Sequence, residues 1–207
     1  KVVPVSSASA AEMVKLLENT FRVVNIALVN EIMTLCDRFG LSIWEIIDAA
    51  KTKPYGFMPF YPGPGVGGHC ISVDPLYLSW KAKKHGFETK FIDLATSVND
   101  AMPQYVVDRL EGILLERKKT LEESNILIVG VAYKKDVKDL RESPALDIIR
   151  ILETRGAKVS YYDPLFPYLK IKGIDLKRAP FTKAFLKRQD CVIIATAHSS
   201  LNGLFLT

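Results

Sequence analysis

The stretch of this 207-residue sequence best suited to chemistry is Pro62-Gly63-Pro64-Gly65-Val66-Gly67-Gly68-His69-Cys70. Its four glycines let backbone N–H groups come close to a ligand, and its prolines limit the conformational freedom of an open loop. Cys70 ends the loop just ahead of a helix start, a position suited to a nucleophilic thiol. The same pattern describes a tight turn closing on a buried thiol equally well. Asp74 follows Cys70 by four residues, within range for a base or a water-positioning carboxylate, although an N-cap is its simpler role. Lys15 and Asn19, also four apart, share one helix face, and a cation beside an amide suits a developing oxyanion. A solvated polar face is the simpler reading of that pair.

A second segment, Gly130-Val131-Ala132-Tyr133-Lys134-Lys135-Asp136 through Arg141-Glu142-Ser143-Pro144, follows an apolar run that reads as a buried strand. Ligands of open α/β sheets bind at the carboxyl ends of strands, and Lys134, Lys135 and Arg141 are suited to phosphates there. The segment is not G-x-G-x-x-G, so a dinucleotide bound in the Rossmann manner is weakly supported, and a charged surface loop fits equally. His69 and Cys70 adjoin with no second cysteine or histidine at ligand spacing, which argues against a metal site. His85 reads as a helix-end residue and His198 follows the last strand; Cys36 and Cys191 read as core thiols.

These residues need elements to position them. Val14, Leu17, Phe21, Val24, Leu28, Ile32, Leu35 and Phe39 recur every three or four residues, which predicts one buried face of a long helix. Ser9 with Glu12 predicts a capping-box start and Gly40 the stop; Ser42 with Glu45 predicts a second, shorter helix. Prolines and glycines make residues 54–69 a loop. Asp74-Pro75 predicts a helix ending near His85-Gly86, followed by a long helix with Phe91, Leu94, Val98, Met102, Val106, Leu110 and Ile113 inward and Pro103 bending it. From Lys118 the composition changes: a strand over 125–130, a helix over 144–155, a strand over 158–162 and a last strand over 191–195 predict a parallel sheet built on a βαβ unit.

Composition bounds the rest. Lys and Arg exceed Asp and Glu, 28 to 23, a surface bias toward anions such as nucleotides. The lysines are dispersed rather than clustered with aromatics, which argues against nucleic acid as a partner. Three widely spaced cysteines make no disulfide framework and point to a reducing compartment, the cytoplasm. Arg22, Asn25, Asn30 and Glu31 interrupt the most apolar stretch, so no membrane span is expected, and Val2 to Val5 is too short for a signal peptide. The sequence starts at Lys1 rather than methionine, which suggests a start that is not translational.

Taken together, the Lys15-Leu-Leu-Glu-Asn19-Thr-Phe segment, the glycine loop ending in Cys70, Asp74, and the stretch from Gly130 to Pro144 resemble the UDP-glucose/GDP-mannose dehydrogenase family over nearly the whole chain. The resemblance implies an α/β chain: an all-helical central dimerisation domain over 1–117, then a Rossmann-like, UDP-sugar-binding domain over 118–207. It implies NAD-dependent oxidation of a sugar C6 alcohol to a carboxylate, two NAD per turnover, for polysaccharide precursor synthesis. In that reading Cys70 is the nucleophile that forms a thiohemiacetal and then a thioester. Lys15 and Asn19 stabilise the oxygen, and Asp74 aids proton transfer or water activation. Tyr61, Gly63, Gly65, Gly67, Tyr133 and Lys134 contact the sugar nucleotide, and Arg141 contacts NAD. The stretch from Lys51 to Gly65 looks most like the UDP-N-acetylglucosamine branch, although no arginine occurs between Lys51 and Cys70, where many relatives place one. Family members begin with a further Rossmann domain carrying G-x-G-x-x-G, which this sequence does not contain. The chain is therefore expected to form a homodimer and not to catalyse alone; the alternative is a non-catalytic dimerisation or UDP-binding module.

Overall fold

The computed structural model describes residues 2–201, which pack as two units. The first takes the chain up to Gly63 together with His69–Asp100; the second takes Pro64–Gly68 together with the chain from Ala101 onward.

The first unit is helical: α1 (Ala8–Phe39), α2 (Ile43–Ala50), α3 (Asp74–Lys83) and α4 (Lys90–Asp100). The cap of α1 is Ser7 rather than Ser9: it is extended and its hydroxyl accepts from the Ala10 N–H at 3.1 Å, which leaves Ser9 inside the helix. Gly40 ends α1 in the left-handed conformation at φ 68°, and Ser42 caps α2 through the Glu45 N–H, both as expected. The long helix has the expected length but turns a different face inward. Its buried residues are Asn19, Val23, Ala27, Val29, Asn30 and Cys36, whereas Leu17 is 65% and Leu28 57% exposed. Small side chains explain the choice, since Ala27 of α1 and Ala95 of α4 are both buried and these two helices pack together. Within that contact the Asn30 Nδ2 donates to Asn99 Oδ1 at 3.0 Å, and Asn99 Nδ2 donates to the Val23 carbonyl at 3.2 Å. Each buried amide is thereby hydrogen-bonded, as burial requires. A smaller apolar cluster of Val29, Cys36, Ile43 and Ile47 joins α1 to α2.

The long helix expected from Phe91 onward is two helices. α4 ends at Asp100, and α5 (Met102–Glu116) starts with Pro103 in its first turn, where proline's missing N–H costs nothing. On α4 the inward residues are Ile92, Ala95 and Asn99; Phe91, expected inward, is 77% exposed.

The second unit is built on three parallel strands, β1 (Asn125–Val129), β2 (Lys158–Tyr162) and, last among the described residues, β5 (Cys191–Ile194), in the order β2-β1-β5. Helix α6 (Pro144–Thr154) is the crossover from β1 to β2, and α5 packs on it. The core joins Val107, Leu110 and Leu114 of α5 to Ile126 and Ile128 of β1 and to Leu146, Ile148, Ile149 and Leu152 of α6. Between β2 and β5 lie an antiparallel hairpin, β3 (Tyr168–Ile171) and β4 (Ile174–Lys177), and a short helix, α7 (Lys183–Leu186). The hairpin turns on Lys172 and Gly173, both with positive φ, at 51° and 87°.

At the amino edge of the sheet, Asp190 accepts the Asn125 N–H at 2.8 Å and pairs with Lys119. The hydrogen bond from Asn125, followed by Lys119, holds its carboxyl below the ordinary value. A depressed carboxylate contributes stability above its unfolded pKa of about 4 and loses it as pH falls through the lower folded value. Asp190→Asn is therefore expected to cost about 1–2 kcal/mol at pH 7, with the gap to wild type closing toward pH 3 in thermal melts. A gap of constant size at both pH values would contradict this.

Candidate functional site

In the first unit, the chain leaves the loop through a tight turn: the Cys70 carbonyl accepts the Val73 and Asp74 N–H groups at 3.2 and 2.8 Å, and α3 begins at Asp74. The Cys70 thiol is exposed and unbonded to any other sulfur, which sets aside the buried-thiol reading. Asp74 is the first residue of α3 rather than its cap. Its carboxylate accepts from the Asn19 Nδ2 at 2.6 Å, across 55 residues of sequence. Asn19 is fully buried, and its Oδ1 has no hydrogen-bond partner among the described residues. A buried amide oxygen left unpaired costs on the order of 1–3 kcal/mol and marks a site that favours a donor. Lys15, one turn before Asn19, is exposed, and its Nζ lies 3.9 Å from Glu18. Thus Asn19 and Asp74 meet, Cys70 is tied to Asp74 through the backbone, and Lys15 lies on the exposed side of α1.

The approach to the loop is also fixed within this unit. The Gly63 N–H donates to Asn30 Oδ1 at 2.9 Å, so the Asn30–Asn99 pair inside the helix packing also anchors the loop. Sequence reasoning treated Asn30 only as an interruption of an apolar stretch. The available signal was its spacing: 11 residues from Asn19 is about three helical turns, which places both on one face. Tyr61 is half exposed and stacks on Trp44, with ring centroids 6.2 Å apart. Nearby, Lys51 pairs with Asp48 at 2.5 Å, a contact that, with Tyr61, raises the lysine above its usual value.

In the second unit, the Gly68 N–H donates to the Arg141 carbonyl at 3.0 Å. A Cβ on Gly67 would lie 2.5 Å from the Glu142 carbonyl oxygen and 2.9 Å from Tyr133 Cβ; one on Gly68 would lie 2.6 Å from the Tyr133 ring. The close approach that these two glycines permit is thus to the protein's own chain, and Tyr133 is what they approach. Gly65 has φ 130°, again outside the range side chains favour. Tyr133 is half-buried and Lys134 exposed at the carboxyl end of β1. Arg141 is exposed, and its guanidinium makes a two-pronged pair with the Asp139 carboxylate, 2.9 Å from Nε and 2.7 Å from Nη2.

The residues at the end of β1 do not suit a dinucleotide cradle. Gly130 is its one glycine, and a Cβ there would lie 2.1 Å from the Thr196 carbonyl oxygen, so no room for a pyrophosphate exists against it. Among the described residues, no group of three acidic, histidine or cysteine side chains is arranged to hold a metal ion, and no helix is long and apolar enough to cross a membrane.

Comparison with known proteins agrees over both units. A family model described as the central domain of the UDP-glucose/GDP-mannose dehydrogenase family matches residues 9–101, and one described as the UDP binding domain of the same family matches 127–206. Among similar proteins, a UDP-N-acetyl-D-mannosamine dehydrogenase of Methanococcus maripaludis is 40% identical over 93% of the chain and 42% of the relative. A UDP-N-acetyl-D-glucosamine 6-dehydrogenase of Pseudomonas aeruginosa is 37% identical over 96% of the chain and 46% of the relative. The solved structure of a UDP-D-ManNAc dehydrogenase from Pyrococcus horikoshii superposes with a TM-score of 0.82 at 34% identity, covering 96% of this chain and 44% of that one. The chain thus spans less than half the length of the relatives it matches.

Proposed function

The chain belongs to the UDP-glucose/GDP-mannose dehydrogenase family, and from that premise we propose that it serves the oxidation of a UDP-sugar C6 alcohol to the uronate. The substrate class is a UDP-N-acetylhexosamine, with N-acetylglucosamine and N-acetylmannosamine, each in the name of a similar protein, as the first two candidates; N-acetyl-D-galactosaminuronic acid stands in the name of others. The observation that carries the chemistry is the pairing of the buried Asn19 amide with Asp74, in the first turn of the helix that follows Cys70.

The parts played by the chain's own residues follow from their chemistry. The Cys70 thiolate adds to the C6 aldehyde, and the oxygen becomes an oxyanion that accepts hydrogen bonds. The Asn19 amide and the Lys15 ammonium are donors suited to it. After oxidation to the thioester, Asp74 takes a proton from water; the water oxygen adds to the acyl carbon, and the thiolate leaves as the carboxylate forms. NAD is the oxidant in this reading and supplies the hydride acceptor; the described residues form no cradle for it, and Arg141 is the one residue assigned to it. Lys134, Tyr133, Tyr61 and Gly65 belong to the sugar nucleotide, whereas the Gly63 N–H is taken by Asn30 and Gly67 lies against Glu142 and Tyr133. The first unit then carries the thiol chemistry and the second, with Tyr133 and Lys134, the nucleotide end, in a cytoplasmic enzyme of polysaccharide precursor synthesis; the division falls after Asp100 rather than at residue 117 because α5 packs in the core of the second unit.

Calorimetric titration tests the binding half of this reading. UDP and both UDP-N-acetylhexosamines are expected to bind the chain, with GDP at least tenfold weaker. Absence of heat with all three uridine nucleotides would overturn it.

A homodimer is part of the proposal. Leu17, Phe21, Leu28, Leu35 and Phe39 run along one exposed side of α1, more apolar surface than a lone helix usually shows to water. Sedimentation velocity at micromolar concentration is expected to give a dimer, and the double variant Leu28→Glu with Leu35→Glu a monomer of unchanged helicity.

A further inference from the structure

His198 is 1% exposed and takes no part in the chemistry above, yet it joins three segments of the second unit. Its Nδ1 accepts the Asp136 N–H at 2.9 Å. A ring nitrogen that accepts carries no proton, so the neutral ring keeps its single hydrogen on Nε2, which lies 3.1 Å from Asp163 Oδ2 and donates to it. Asp163 is itself fully buried. Its Oδ2 also accepts the Val131 and Ala132 N–H groups at 2.7 and 3.3 Å, and its Oδ1 accepts the Leu165 N–H at 2.8 Å. With four donors the buried carboxylate is fully satisfied, the condition under which burial of a charge is tolerated.

The segment leaving β1 is consequently held at both ends. Asp163 grips its first two peptide groups. At its far end Asp136 adopts a left-handed conformation, φ 60°, which aspartate takes up where local hydrogen bonds hold it. Asp136 is kept there by His198 on its N–H, and by the Ser199 N–H and hydroxyl, which donate to its carboxylate at 2.8 and 2.5 Å. Tyr133 and Lys134 lie between the two grips.

We propose that His198 is a positioning residue: as a neutral Nε2–H ring bridging Asp163 and Asp136, it holds residues 131–136 in the conformation that presents Tyr133 and Lys134 to the sugar nucleotide. The proposal rests on the reading of that segment as the nucleotide-binding one.

Three variants separate the roles. His198→Ala removes both bonds, His198→Asn keeps an acceptor near the Nδ1 position, and His198→Gln keeps a donor near the Nε2 position. The expected result is UDP affinity at least tenfold weaker in His198→Ala and largely restored in His198→Asn, each read by calorimetry on protein with a wild-type circular dichroism spectrum. Should His198→Ala not fold, His198→Gln takes its place as the variant that releases Asp136. In the wild-type protein, long-range proton–nitrogen NMR correlations at pH 7.5 are expected to show the Nε2–H tautomer. Amide exchange at Asp136 is expected to be at least tenfold faster in the variants that lack the acceptor. UDP affinity within twofold of wild type in the folded releasing variant, or a ring protonated on Nδ1, would overturn the proposal. If wild-type protein binds no UDP, the functional reading falls instead. The Asp136 exchange rate then decides for His198: acceleration upholds its grip on the segment, and an unchanged rate removes it.

Discussion

Gly130→Ala is expected to abolish cooperative folding of the second unit. Gly130 follows β1 directly, between the ends of β2 and β5: its N–H donates to the Tyr162 carbonyl at 2.8 Å, and its α-carbon faces Thr196. An alanine Cβ would sit 2.1 Å from the Thr196 carbonyl oxygen and 2.7 Å from the carbonyl carbon, both backbone atoms that no side-chain rotation can move away. Val129 and Val131 on either side are completely buried, so the strand cannot shift outward as a body. The residue also has φ 80°, a conformation that costs a side chain about 1–2 kcal/mol on its own. Overpacking in a dense core adds typically about 1–3 kcal/mol, and more against backbone. With the clash falling on backbone the total is at the upper end, about 5 kcal/mol or more, comparable to the whole stability of a marginally stable domain. Gly173→Ala is the matching control: its φ is 87°, but nothing lies within 4 Å of the added carbon, so only the conformational cost of about 1–2 kcal/mol applies. Urea unfolding followed by circular dichroism should show a small shift for Gly173→Ala and no cooperative transition from the second unit for Gly130→Ala. Equal midpoints for the two variants would refute the steric argument.

Cys70→Ala is expected to remove turnover while leaving the fold intact. The thiol is exposed, and the loop that carries it is held by other atoms: the Gly63 N–H on Asn30, the Gly68 N–H on the Arg141 carbonyl, and the Cys70 backbone carbonyl, which alanine retains. Melting should change by no more than a degree or two. Without the thiol no covalent adduct with the aldehyde forms, and the loss of a nucleophile costs roughly a thousandfold or more in rate. In a preparation that turns over, formation of NADH from the UDP-sugar should fall by that factor, with UDP binding within twofold of wild type. Cys36 offers the contrast, because it is packed with Val29, Ile43 and Ile47; Cys36→Ala should lower stability and leave chemistry untouched. Alkylation with iodoacetamide, located by mass spectrometry, should mark Cys70 well ahead of Cys36 and of Cys191, whose thiol burial pushes up. Substantial turnover by Cys70→Ala would end the covalent reading.

The parallel sheet was legible because its strands read as apolar runs: residues 126–129 of β1 are buried on both faces, and Cys191–Ile194 is an equally unbroken run although Val192 and Ile194 are exposed. The β3–β4 hairpin escaped notice because its four-residue strands alternate lysine and aspartate with Leu169, Ile171, Ile174 and Leu176, a pattern too short to stand out from loop. The Lys172-Gly173 pair was its one turn signal. For α1 the period was clear and the inward face was not. Counting apolar side chains selects the stripe through Leu17, Phe21 and Leu28. Packing within the unit selects the stripe through Asn19, Val23, Ala27 and Asn30, where small or paired side chains admit α4. Cys70 and Asp74 could be singled out by spacing alone. The bond between Asn19 and Asp74 could not, because it joins residues brought together only by the folding of α3 against α1.

The short segment Pro64–Gly68 has a consequence for dissecting the protein. The chain passes from the first unit to the second at Gly63, back again at His69, and over once more at Ala101. A single cut after Asp100 therefore does not yield two self-sufficient pieces. It leaves the upstream fragment with Pro64–Gly68, of which Gly67 and Gly68 have their packing partners, Tyr133 and the Arg141–Pro144 turn, on the other fragment. In such a fragment the glycines nearest Cys70 would be unmoored. The thiol of an excised helical half would then report on a loop that had lost its seat, and its reactivity would be no guide to that of the intact chain.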